Sequence, residues 1–358
     1  MKGGGIVVLV SGFPRRSETF ALNELAALES CGALAAVFAT KEGDPETPQP
    51  GVERLAPLVR HLAPGTPEEQ AAEVAHRIGS RRVSGIHAYF AHTPAEVAHH
   101  AARRLAVPFG FSAHARDLRK AGRERLSALG RGAACVVACN ADAAATLRGA
   151  GVEPEVVPHG VDLHRFPRRP APAAGPLQLL AVGRLVPKKG FDVLLRAMGL
   201  LRADARLRIV GEGPERGRLE GLTLALGLTE RVTFAGALTH TALPAIYAES
   251  QVVVVPSIAD TTGDRDGLPN VVLEAMATGR PVVASTIGAL ASAVVPAETG
   301  VLVPPGDPQA LAVALEILAA RPQLRAQLGL NARGLVERYY DLHGCTARLT
   351  RVLGAAYA

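Results

Sequence analysis

Tryptophan is absent from this 358-residue chain, and aromatic side chains make up only 4% of it. Surfaces that grip nucleic acid pair a basic groove or arm with stacking aromatics. Here lysines and arginines are scattered, so nucleic acid is not expected as a partner. Cysteine is also sparse: Cys31, Cys135, Cys139 and Cys345 form no CxxC pair and no His/Cys metal pattern. That excludes a disulfide framework and a thiolate metal site, and it predicts reduced, mostly buried thiols in a cytoplasmic protein. Long apolar runs are missing as well. The stretch Ile6 to Val10 is far shorter than a membrane span, and it sits too near the start, without a basic flank, for a signal peptide. Any membrane contact is therefore expected to be peripheral, at the inner face of the membrane.

What is present is hydrophobic filling for more than one core. A chain of this length exceeds the usual reach of a single core, and 48% hydrophobic residues can fill two. The formal charge of +6 and a sequence pI of about 9.4 favour anionic partners, either a phosphorylated small molecule or an acidic membrane surface. Short β-branched runs alternate with amphipathic stretches nearly throughout, the pattern of parallel sheets covered by helices. Strands are expected at Ile6 to Val10, Ala35 to Ala39, Ile86 to Phe90, Phe109 to Ser112 and Val136 to Ala138, with helices at Ser17 to Leu28, Pro67 to Ile78, Pro94 to Leu105 and Ala141 to Leu147. The stretch Pro167 to Pro176 has no apolar period and reads as a linker. Beyond it the alternation restarts, with strands at Leu177 to Val182, Leu207 to Val210, Val232 to Phe234, Val252 to Val255 and Val282 to Ala284. The fold class is α/β: two Rossmann-like domains with parallel sheets facing across a cleft. Their expected extents are 1–166 and 177–335, with 167–176 between them. A C-terminal helix in 336–358 would cross back to the first domain.

Chemistry concentrates at strand ends. In Gly263-Asp264-Arg265-Asp266-Gly267-Leu268-Pro269-Asn270, Gly267 and Pro269 interrupt any upstream helix, while Val271 to Thr278 reads as a helix stopped by Gly279. Asp266 then lies just before a helix N-terminus and Glu274 about one turn inside it. Unpaired N–H groups between the two carboxylates suit a phosphate, and the carboxylates suit sugar hydroxyls, so the pattern fits a sugar nucleotide. Gly183-Arg184-Leu185-Val186-Pro187-Lys188-Lys189-Gly190 follows a strand, so Arg184 with Lys188 or Lys189 could grip a diphosphate. Alone it would pass equally for a solvated basic turn. Gly211-Glu212-Gly213 opens a GxGxxxG run rather than GxGxxG, which favours a tight turn that offers backbone contacts at most. Asp264-Arg265-Asp266 is a DxD triplet, but no further oxygen donors accompany it, and no metal or cofactor is expected. In the first half, Gly12 permits close backbone approach, Ser17 is a suitable N-cap, and His114 ends a strand. A lone histidine is more often structural than catalytic, and His159 reads as a turn residue.

These segments together resemble the retaining family-4 glycosyltransferases of the GT-B fold. The likeness is specific in the second half. In the first it rests on Ser17 to Phe20, Ile86 to Phe90 and Ser112 to His114, which are similar to members that build bacterial exopolysaccharides of the colanic-acid type. The resemblance implies roles. Arg184 and Lys189 would hold the diphosphate of a nucleoside diphosphate sugar, Glu274 the ribose hydroxyls, and Asp266 the donor-sugar hydroxyls. Backbone groups of Gly267, Leu268, Pro269 and Asn270, with Gly211, Glu212 and Gly213, would line the nucleotide. His114 would sit near the transferred sugar and Gly12 beneath the diphosphate. The family usually has Glu where this chain has Asp266, which leaves the donor sugar open. The implied reaction is transfer to an acceptor hydroxyl with retention. Alternatives on the same fold are a sugar-nucleotide epimerase, a phosphorylase, or a non-catalytic sugar-nucleotide binder. Arg15, Arg16, Arg103, Arg104, Arg116 and Arg119 would suit an anionic or lipid-linked acceptor, or simply form a basic surface.

Overall fold

The computed structural model describes residues 4–15, 18–44, 51–172 and 175–358. Ser17, expected to cap the first helix, lies outside the described residues, as do Arg16 and the side chain of Arg116. The chain divides into two compact units, Met1–Gly160 with Leu342–Ala358, and Val161–Asp341.

The first unit holds a seven-stranded sheet: β1 (Ile6–Val10), β2 (Leu34–Ala39), β3 (Val59–His61), β4 (Gly85–Tyr89), β5 (Phe109–Ala113), β6 (Cys135–Ala138) and β7 (Glu155–Val156). The second holds six strands: β8 (Leu177–Val182), β9 (Ala205–Val210), β10 (Val232–Phe234), β11 (Val252–Val255), β12 (Val282–Ser285) and β13 (Gly300–Val303). Strand orders are β3-β2-β1-β4-β5-β6-β7 and β10-β9-β8-β11-β12-β13. All neighbours run parallel. Burial on both faces explains why β1 and β11 are unbroken apolar runs. Helix starts are set locally: Thr66 and Glu69 form a reciprocal capping box, while Asn140 and Asp307 cap the helices Ala141–Gly149 and Pro308–Ala320.

In both sheets the order reverses beside the first strand, between β1 and β4 and between β8 and β11. Loops leaving the carboxyl ends at such a reversal diverge and leave a crevice, the usual ligand position in doubly wound sheets. The register of Val252 and Val253 against Leu179 and Leu180 brings the ends of β8 and β11 level.

Two boundaries differ from those expected. The Pro-rich stretch 167–176 lies inside the second unit rather than between domains, and the preceding Val161 and Phe166 are buried in that unit's core. Side chains remote in sequence bind carbonyls that a Pro-rich chain leaves unpaired. Arg333 donates to Phe166 O at 3.0 Å, Arg280 to Pro170 O at 3.2 Å, and Gln251 to Pro172 O at 2.9 Å. The C-terminal stretch also divides later than residue 336. Helix Pro322–Tyr339 stays with the second unit, and helix Leu342–Ala356 belongs to the first. There Leu349, Leu353 and Tyr357 join the core, and burying each leucine contributes about 1.5–3 kcal/mol. The Tyr357 ring fills a slot that exists because Gly85 and Gly110 carry no Cβ, and its hydroxyl meets His87 Nδ1 at 2.8 Å. Strands β3, β7 and β13 and the helices Ala115–Ala121 and Arg123–Gly132 were not anticipated. The strands are short and partly exposed, and neither helix has a long apolar period. Among the described residues no helix is long and apolar enough to cross a membrane.

Candidate functional site

In the second unit, β8 hands its loop through Gly183 and Arg184 to the short turn Pro187–Lys189, and helix Phe191–Leu200 follows. Strand β11 hands on to 256–269 and then to helix Asn270–Ala277. The two loops meet at Asp266. Its Oδ2 accepts from Lys189 Nζ and from Ser257 Oγ, both at 2.7 Å, while Lys188 Nζ lies 3.6 Å from Oδ1 and 3.0 Å from Asp264 Oδ2. Asp266 is only 8% exposed. Burial by itself would raise its carboxyl, but the Lys189 charge, hydrogen bonds from Lys189 and Ser257, and the Lys188 charge hold it below the usual value. Asp266 is thus an ionised carboxylate with two lysines gathered on it. Arg184 is the contrast: it is exposed, and its side chain makes no hydrogen bond or ion pair among the described residues.

The Gly211-Glu212-Gly213 turn fits against this loop. Gly211 has φ +143°, and a Cβ there would strike the Gly183 carbonyl, as one at Gly213 would strike Leu185 O. Leu185 N donates to Glu212 O at 2.9 Å. Those glycines are explained by backbone packing against 183–185, which fixes where Arg184 leaves the strand. The Glu212 side chain points to Arg216 at 3.0 Å on the surface.

Helix Asn270–Ala277 begins after Pro269, which supplies no N–H, so only Gly267, Leu268 and Asn270 carry backbone donors in the 267–270 stretch. One turn in, Glu274 is buried and each of its oxygens already accepts one bond. Tyr247 Oη donates to Oε2 at 2.8 Å, and His240 Nε2 meets Oε1 at 3.2 Å. Arg165 Nη1 lies 3.0 Å from His240 Nδ1, and a guanidinium only donates. Nδ1 is therefore the acceptor and Nε2–H donates to Glu274. Burial, then the Glu274 charge, keeps the Tyr247 hydroxyl protonated far above its ordinary range. Each Glu274 oxygen retains a second lone pair for a ligand hydroxyl.

In the first unit, Gly12 follows β1, and a Cβ on it would crowd the Glu42 carbonyl, so its lack of side chain serves the loop itself. His114 follows β5 and starts helix Ala115–Ala121; it is 9% exposed, and among the described residues neither ring nitrogen has a hydrogen-bond partner. Its ring packs among Phe20, Phe90 and His159, with centroids at 4.8, 4.8 and 5.0 Å. Burial, with His159, His92 and His87 adding to it, pushes His114 well below the ordinary histidine range. Asp117 accepts from Ala91 N at 2.6 Å and His114 N at 2.8 Å; burial nevertheless raises its carboxyl to about 7.

His159, expected to be a turn residue, is instead part of this cluster. Its Nδ1 lies 2.6 Å from Glu24 Oε1, Glu24 Oε2 accepts from Tyr89 Oη at 2.7 Å, and Phe20 stacks on the ring at 4.1 Å. Burial opposes its charge, but the Glu24 carboxylate, helped by the neighbouring Cys139, raises it to about 10. The structure therefore brings together Lys189 and Asp266 from the expected set, sets Arg184 free on the same loop, and seats Glu274 in its own network. Sequence reasoning missed Ser257, Tyr247, His240, Arg165, Glu24 and the partnership of His159. Among the described residues no group of three or more His, Cys, Asp or Glu side chains could hold a metal ion.

Comparison with known proteins supplies the family. Residues 17–165 match the family described as Glycosyltransferase Family 4, and residues 165–335 match that described as Glycosyl transferases group 1. A Salmonella typhimurium protein described as a colanic acid biosynthesis glycosyltransferase, WcaL, is 36% identical over 179 residues, covering 48% of this chain and 44% of that one. The GDP-mannose-dependent alpha-(1-6)-phosphatidylinositol monomannoside mannosyltransferase of Mycolicibacterium smegmatis is 35% identical over 212 residues, 56% of each chain. The chain thus spans about half the length of the curated relatives it matches. Among solved structures, Anabaena HepE in complex with UDP superposes with a TM-score of 0.83 at 20% identity, over 98% of this chain and 100% of that one, which shows the shared fold. Two parallel α/β units of this strand order, matched in turn by those two families, establish that the chain belongs to the glycosyltransferases of the GT-B fold.

Proposed function

We propose that the chain moves a sugar from a nucleoside diphosphate sugar to an acceptor hydroxyl with retention of anomeric configuration. The observation that carries this reading is the cationic edge beside the β8/β11 reversal, where an exposed Arg184 and the lysine pair gathered on Asp266 share one loop system. Arg184 and Lys189 then meet the diphosphate, with Lys189 exchanging its bond to Asp266 for one to phosphate. Asp266, freed on that side, accepts from donor-sugar hydroxyls, and Glu274 uses its remaining lone pairs for the ribose. The backbone N–H groups of Gly267, Leu268 and Asn270 supply donors for the same anion; in the first unit the family likeness assigns Gly12 to the diphosphate and His114 to the transferred sugar. The anomeric carbon–oxygen bond to the diphosphate breaks and the acceptor oxygen bonds on the same face. The acceptor proton passes to the departing phosphate oxygen, and the two cations stabilise the charge that grows there.

The UDP in the HepE structure and the GDP-mannose dependence in a relative's name support a nucleotide-sugar donor. A phosphatidylinositol mannoside in that same name, and a formal charge of +6, support an anionic or lipid-linked acceptor. The test is a panel of UDP- and GDP-sugars with phosphorylated and lipid-linked acceptors, the product anomer being read by NMR. A product of inverted configuration, or sugar nucleotide consumed without any acceptor dependence, overturns the reading.

A further inference from the structure

A buried acid lies among the first unit's histidines. Glu24 lies on helix Thr19–Ser30, is 6% exposed, and receives Tyr89 Oη and His159 Nδ1 on its two oxygens at 2.7 and 2.6 Å. Such short contacts to a carboxylate are those of charge-assisted hydrogen bonds. The His159 ring in turn lies nearly parallel to the His114 ring, at an interplanar angle of 13° and 5.0 Å between centroids. His114, fixed between Phe20 and Phe90, has no hydrogen bond on either ring nitrogen among the described residues. The stacked rings thus converge on one imidazole that makes no hydrogen bond among the described residues, Asp117 Oδ1 lying 3.9 Å from its Nδ1.

We propose that Glu24 and His159 are positioning residues for His114: the ion pair fixes the stacked ring and repels a second positive charge from it, so that His114 meets a ligand hydroxyl as a neutral imidazole. That the ligand is a sugar or acceptor hydroxyl rests on the glycosyltransferase reading above; the charge relation between the two histidines does not. The groups facing the pair are Tyr89 from β4, Cys139 beyond β6 and His114 beyond β5, and those facing His114 are Asp117, His87, His92 and His159. A neutral imidazole can accept a hydroxyl proton's hydrogen bond through one nitrogen and donate through the other. An imidazolium would only donate. Burial already favours the neutral form, and a stacked positive charge reinforces it. Holding that charge on the neighbour requires the Glu24 carboxylate.

The experiment is a histidine-resolved NMR titration of the whole protein with 15N-labelled imidazoles, without donor or acceptor, on wild type, Glu24→Gln and His159→Gln. Wild type is expected to show His159 doubly protonated at neutral pH while His114 carries one proton. Both variants are expected to shift the His114 midpoint upward, and in turnover assays to move the acidic limb of the kcat/KM profile to higher pH. A neutral His159 in wild type at pH 7 overturns the proposal even if neither variant folds. An unchanged His114 midpoint in folded variants does the same. Wild type that shows these midpoints but transfers sugar to no acceptor of the panel would instead count against the glycosyltransferase reading alone.

Discussion

The two units repeat one strand order and put opposite chemistry at the ends of their strands. The second leaves one cation outside: Arg184 is exposed, while Lys189 reaches the buried Asp266 from the same loop. The first hides its charge. Glu24 and His159 form an ion pair inside a wall of Phe20, Tyr89, Phe90 and His114, and His87 is sealed between Ser112 and Tyr357 at 2.8 Å on either side. A shared topology therefore fixes where a ligand can sit without fixing what it is. An outward Arg184 suits a diphosphate that arrives with its own charge. A neutral imidazole in an aromatic wall suits hydroxyls, which must be bonded without being charged.

Variants can separate these two designs. The largest effect is expected from Tyr357→Ala, which empties the slot beside Gly85 and Gly110 and should destabilise the first unit by about 3–5 kcal/mol. Denaturant unfolding mapped by limited proteolysis should show that unit melting early while 161–341 holds; equal loss in both would break the contrast. Arg184→Ala should do the reverse. Removing one preorganised donor is expected to cost about 100-fold or more in kcat, with an unfolding midpoint that matches wild type because the side chain is exposed and unpaired. Normal turnover would remove Arg184 from the donor site.

A smaller, pH-dependent effect sharpens the comparison without mutation. His87 is held neutral by burial, its folded value depressed from 6.5 to about 3, so the stability it contributes is present above 6.5 and lost as pH falls towards 3. His114 acts in the same direction. His159 is raised from 6.5 to about 10, so its contribution is complete below 6.5 and is lost as pH rises through about 10. In the second unit Asp266 is depressed below 3.8, and its contribution is lost only under more acid conditions. Asp117, raised from 3.8 to about 7, works the other way over the acid range, one carboxyl against two histidines, so the first unit should weaken between pH 6.5 and 4, and again between 7 and 10, before the second responds, as read by protease susceptibility of each unit across pH. The smallest change is expected for Glu212→Ala, where a solvent-facing pair with Arg216 disappears and kcat/KM should stay within about twofold of wild type.

Much of this was legible because it is local. Unbroken runs such as Ile6–Val10 and Val252–Val255 announce central parallel strands, and Arg184, Lys189 and Asp266 stand in short motifs just past such strands. What escaped was long-range. Residues 167–176 look like a linker by composition, yet Arg280, Gln251 and other distant donors bind the carbonyls around them, which no window of sequence contains. Glu24 reads as one polar position in an apolar helix, and His159 as a turn residue; they stand 135 positions apart and become a pair only when the chain between them is folded. Ser257 and Tyr247 are likewise ordinary in sequence. The Asp266 and Glu274 partners they supply depend on where β11 and its neighbouring helix end.

The first unit is discontinuous in sequence, whereas the second, Val161–Asp341, is one unbroken segment. On a chain growing from its N-terminus, residues 161–341 are complete before Leu342–Ala358 leave the ribosome, so the later half can close its core while the earlier half still lacks its last helix. Until Tyr357 arrives, the slot beside Gly85 and Gly110 stands open and His87 lacks one of its two partners. Between these two units the order of synthesis and the order of completion are thus reversed, and the surroundings of His87 are finished only after 161–341 have been made.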